Sequence, residues 1–71
     1  MAKRSLIISK AAAARILQKA GAERVSEEAA INFAAVLESI GLTISEQAVR
    51  ISEHSGRKTV NAEDVKLAAR S

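Results

Sequence analysis

The stretch SEEAAINFAAVLESIGLTISEQAVRISEHSG, residues 26–56, decides the fold. Ser26 suits the position just before a helix, where its hydroxyl accepts from a free backbone N–H. Glu27 and Glu28 follow in the first turn, where the helix dipole favours acids. No stop signal comes until His54-Ser55-Gly56. The spacing therefore predicts one helix of roughly 28 residues, about 42 Å long. Phe33, Leu37, Ile40, Ile44, Ala48 and Ile51 recur at helical period along it. Gly41 lies inside and costs about 1 kcal/mol relative to alanine. The apolar period continues through Gly41, which favours close packing there over a break.

Shorter helices are expected on either side. Ser9 or Ser5 can cap a first helix running to about Ala20, with Ile16, Leu17 and Ala20 as its apolar face. Gly21 ends it, and Ala22 to Val25 form a connector. Arg57 to Val60 form a second connector. Thr59 and Asn61 are candidate caps for a third helix that carries Glu63 and Asp64 in its first turn and ends near Ala69. Val65, Ala68 and Ala69 share one side of that helix, and Leu67 points to another. Residues 1–8 read as a short basic tail bearing Lys3 and Arg4, and residues 9–70 as one domain. The fold class is all-α.

The composition narrows the function. The chain has 71 residues, no cysteine, no proline and one histidine. A disulfide framework and a zinc site are thereby excluded, and no cofactor is implied. The serines have no partnered base, and the paired acids are explained as helix starts, so no enzyme and no small-molecule substrate are expected. No glycine-rich phosphate loop is present. No apolar run approaches the roughly 18 residues of a membrane span, and Leu6-Ile7-Ile8 is too short for a signal peptide. A soluble cytoplasmic protein without membrane partners is the expectation.

Fifteen of the apolar residues are alanine, and nineteen are larger. A core built from so few large side chains in so short a chain is marginal. The flanking helices, about 15 Å each, can cover the ends of the long helix but not its centre. Phe33, Leu37, Ile40 and Ile44 would then face water. At about 1.5–3 kcal/mol per large apolar side chain, such a core cannot absorb that cost. The same stripe of a second chain, crossing antiparallel, would cover it. The expected state is a homodimer, or a heterodimer with a close relative.

The net charge of +3 is unevenly spread. Residues 1–24 hold six bases and one acid, residues 25–49 hold four acids and no base, and residues 50–71 hold five bases and three acids. Either this is ordinary surface scatter, or one positive face is presented to an anion. Arg15 and Lys19 lie one turn apart on the first helix and share a face. Lys10, with the start of that helix, offers a phosphate site.

Two segments, Ala20-Gly21-Ala22-Glu23-Arg24-Val25-Ser26 and Gly56-Arg57-Lys58-Thr59-Val60-Asn61-Ala62-Glu63-Asp64-Val65, resemble those of a minimal archaeal histone. The resemblance covers about residues 8–70, and the eukaryotic core histones are more distantly similar. It implies the histone fold: short, long and short helices, two chains locked in a handshake dimer. It implies that the first connector of one chain pairs with the second connector of the other, bringing Arg24 near Lys58 and Thr59 of the partner. An arginine at the position of Arg24 enters a narrowed minor groove without reading bases. Lys58 and Thr59 would bind phosphate oxygens. Arg57 and Asp64 resemble the family's intrachain ion pair. His54 resembles a residue that joins dimers by bonding an acid of the next dimer, here Asp64, with Ile51 and Leu67 in apolar contact. Dimers would then stack along the duplex.

The partner implied is double-stranded DNA on the chromosome, bound, bent and wrapped with little sequence preference. The second candidate is a histone-fold interaction subunit of a transcription or replication complex. The third, a helix-turn-helix regulator, requires the long helix to break.

Overall fold

The computed structural model describes residues 6–70. Lys3, Arg4 and Ser5, with most of the expected tail, lie outside them. Three helices follow in order: α1 (Lys10–Lys19), α2 (Glu27–His54) and α3 (Ala62–Arg70). Among the described residues there is no strand.

Local chemistry accounts for the helix boundaries. The Ser9 hydroxyl accepts from the Ala12 N–H, and that of Ser26 from the Ala29 N–H, both at 3.1 Å. Each serine satisfies a donor that its helix cannot. Asn61, not Thr59, precedes α3, and the Asp64 carboxylate reaches back to accept from the Asn61 N–H at 2.8 Å. An acid three residues into a helix closes a capping box in this way. The ends of α1 and α2 are built alike. The Ala22 N–H donates to the Leu17 carbonyl and that of Gly21 to Gln18; the Arg57 N–H donates to Ser52 and that of Gly56 to Glu53. This bonding turns the chain through a left-handed residue, and both positions are glycine, with φ of 122° at Gly21 and 73° at Gly56.

The chain divides within α2, between Ser39 and Ile40, into two compact units. In the first, Ala13 of α1 and Ala30 and Ala34 of α2 are buried. The Ile7 N–H donates to the Glu38 carboxylate at 3.0 Å and ties the lead-in to α2. Ile16, expected on the inner face of α1, is 49% exposed. In the second unit, Ala48, Ser52, Asp64 and Ala68 are buried. The Ser52 hydroxyl donates to the Val49 carbonyl at 3.0 Å, so its burial leaves no polar atom unmet. Val65 and Leu67 of α3 are both largely open.

Among the described residues, every buried apolar residue is an alanine. Phe33, Leu37, Ile44 and Ile51 are half-buried, while Ile40 is 53% exposed. No large aliphatic or aromatic side chain among them finds full cover within the chain.

One expectation holds and one changes. α2 runs unbroken through Gly41, as expected, and a Cβ there would meet nothing within 4 Å in this chain, so the space at Gly41 is left open to a second chain. By length and composition α2 is long enough and apolar enough to cross a membrane, which corrects the expectation that no apolar run approaches that length. Alanines and a single charge, Glu38, between residues 29 and 45 produce this. The same length and apolarity suit a helix whose open face is covered by protein.

Candidate functional site

In the first unit, the basic residues lie on α1 and the connector after it. Arg15 and Lys19 are exposed one turn apart on α1. The turn at Gly21 then leads to Arg24, which is also exposed. An ion pair from Arg24 to Glu23 or Glu27 would be the ordinary role of a loop arginine. Among the described residues it forms neither, and Glu27 is held by Lys10 instead. Lys10 opens α1 and Glu27 opens α2, and both are exposed. The hydrogen bond and charge of Lys10 hold the Glu27 carboxyl below its usual range. Separated by 17 residues, this contact follows no helical period and left no signal in the sequence.

In the second unit, the connector after α2 is organised by Arg57. Its guanidinium donates to both carboxylate oxygens of Asp64 and to the Thr59 carbonyl, each at 3.0 Å. The Arg57 hydrogen bonds, with the Asn61 N–H, lower the Asp64 pKa against the opposing effect of burial. Asp64 in turn raises the Arg57 pKa, chiefly by hydrogen bonding. The Asp64 side chain is 4% exposed and that of Arg57 35%. Three of the roughly four acceptor sites of the carboxylate are filled, leaving one on Oδ1. The pair braces the connector against α3 and leaves Lys58 exposed, with no ion pair among the described residues. Thr59 is exposed and offers its carbonyl to Arg57.

His54 stands in the last turn of α2, where a cation would meet the negative end of the helix dipole. With Ile51, Gln47 and Arg50 it lines a shallow pocket of about 420 Å³. Leu67 is 54% exposed on α3. Among the described residues, no group of three or more His, Cys, Asp or Glu side chains could hold a metal ion.

Residues 7–69 match the model of a family described as histone-like transcription factor (CBF/NF-Y) and archaeal histone. The chain belongs to this family. Among curated proteins, one of the subunits of archaeal histone HAN1 from Thermococcus zilligii is 50% identical over 56 residues, covering 79% of this chain and 84% of that protein. Probable archaeal histone 3 of Methanocaldococcus jannaschii is 55% identical over 56 residues, with the same coverage of both. The helix order is that of the histone fold, and α2 is therefore the central helix of that fold. Its unbroken course removes the helix-turn-helix reading, which needs a tight turn within this stretch.

Proposed function

We propose that the chain is an architectural chromatin protein that binds, bends and wraps double-stranded DNA with little sequence preference. It acts as a handshake dimer, and its dimers stack into larger assemblies. The observation that carries this is the state of the connectors. In a chain at least half identical to archaeal histones over most of its length, Arg24 and Lys58 stand exposed with no acidic partner among the described residues. Two exposed cations with no acid paired to them are available to an external anion.

Phe33, Leu37, Ile40 and Ile44 form the dimer interface, covered by the same stripe of a second chain. Antiparallel crossing brings Arg24 of one chain beside Lys58 and Thr59 of the other. Arg24 enters the minor groove, Lys58 and Thr59 hold phosphate, and Arg15 and Lys19 extend the grip along α1. Lys10, expected in this set, is paired with Glu27 and is left out of it. Ile51, His54, Leu67 and the remaining acceptor site of Asp64 form the contact between dimers. The histone-fold domain spans residues 9–70. The protein works on the chromosome, in the cytoplasm.

A second reading, a histone-fold component of a transcription or replication complex, is favoured by the transcription factors in the family description. Binding to random duplex DNA separates the two. The architectural protein binds it and weakens steeply with salt, because each neutralised phosphate releases counterions. No binding at low salt would leave the interaction component. Nuclease digestion of complexes on long random DNA then tests stacking: a regular ladder of protected lengths supports it, and a single fragment refutes it.

A further inference from the structure

Lys10 has the right place for a phosphate ligand, at the first residue of α1, yet its ammonium is held by a carboxylate of the same chain. Glu27 is itself fixed at the first residue of α2, where the helix dipole favours its charge. The pair itself lines a recess of about 300 Å³, together with Ala11, Ala14, Val25, Ser26 and Ala30. The one other polar side chain lining it is Ser26, whose hydroxyl already accepts from the Ala29 N–H. A phosphate reaching Lys10 would have to displace Glu27 or lie against it, and two anions cannot share one lysine without repulsion.

We propose that Glu27 is an internal competitor for phosphate: by holding Lys10 it withdraws this lysine from the DNA contact. This rests on the architectural reading above and narrows it. Each chain then grips the duplex through Arg15, Lys19, Arg24, Lys58 and Thr59, and the start of α1 is closed by its own neighbour. The depressed pKa of Glu27 agrees with a carboxylate that stays charged and paired at neutral pH. Loss of that one charge would open a further phosphate contact on every chain.

The test is the salt dependence of binding to random duplex DNA by the full-length dimer and by Glu27→Gln, Glu28→Gln, Lys10→Ala and Lys10→Ala/Glu27→Gln variants. Glu28 lies in the same turn as Glu27 without an ion pair among the described residues, so it reports the general effect of removing an acid. Both acids are exposed, and glutamine keeps the shape of either. Each phosphate contact adds about 0.9 to the slope of log affinity against log salt. Glu27→Gln is expected to steepen it by about 0.9 per chain, about 1.8 per dimer, and to tighten binding several-fold at low salt. Glu28→Gln leaves the slope unchanged, as does Lys10→Ala alone. The double variant returns to the slope of the unaltered protein. An equal effect of Glu27→Gln and Glu28→Gln, or a slope flattened by Lys10→Ala alone, would overturn the proposal. Failure of the unaltered protein to bind DNA is seen before any variant is made; it overturns the architectural reading and this proposal with it.

Discussion

Ile40 and Leu42 expose nearly equal fractions of their surface, 53% and 59%, and sit two residues apart on one helix. Two residues turn a helix through about 200°, so they face opposite ways. In an isolated chain, truncating either to alanine would have the same small effect. In the proposed dimer, Ile40 is covered and Leu42 remains in water. Full burial of such a side chain contributes about 1.5–3 kcal/mol, so covering the open half of Ile40 contributes about 1 kcal/mol per chain. Two chains give about 2 kcal/mol, which is roughly 30-fold in the dissociation constant. Leu42→Ala, a surface change, stays within about 0.5 kcal/mol. Sedimentation equilibrium over a dilution series reads the dissociation constant directly. Thermal unfolding at several protein concentrations gives an independent check, because the midpoint of a coupled dimer rises with concentration. Ile40→Ala should dissociate about 30-fold more readily and unfold earlier, and Leu42→Ala should match the unaltered protein. Equal shifts in the two variants would place the interface elsewhere, and a shift in Leu42→Ala alone would place it on the opposite face.

Arg24→Ala should weaken binding to all duplex sequences alike and flatten the salt slope by about 1 per chain, read by titration at several salt concentrations. A selective loss on particular sequences would show instead that Arg24 reads bases. Acidification should expose the Arg57–Asp64 pair. The folded pKa of Asp64 is lowered, so its contribution is present above the unfolded value and vanishes as pH falls through the folded one. The thermal midpoint should therefore drop below about pH 4, and less steeply in Asp64→Asn, which is destabilised already at neutral pH. A profile that Asp64→Asn leaves unaltered would remove this carboxylate from the acid response. Gly56→Ala forces an L side chain to φ 73°, a cost of about 1–2 kcal/mol, and should lower the midpoint by at least 4 °C or so in calorimetry. No change in midpoint would show that the turn relaxes without strain.

The helices were legible because their ends are written in single residues. Ser9, Ser26, Gly21 and Gly56 each perform a local bonding task that the sequence states outright. The interior was harder to read. Counting large apolar residues puts Ile16 and Leu17 inside α1, but the fully buried position is Ala13, because helices packed closely leave room only for a methyl group. Side chains too large for that layer are left at its margins. Val36, Ile40, Val65 and Leu67 are the result, and each is at least 45% exposed. Buried positions whose apolar members are all alanine, with the large residues outside, make a poor core for one chain. They make a coherent half of a larger core, which is why the case for a second chain follows from burial without appeal to kinship. The site was less legible. The Arg57–Asp64 pair was implied only by resemblance, although seven residues separate its members. The pairing of Lys10 with Glu27 had no signal at all, since it depends on how the starts of two helices meet. That contact also shows why a net charge of +3 says little about DNA. What matters is which cations the fold leaves without acids, and among the described residues the two connectors keep Arg24 and Lys58 free while the start of α1 does not.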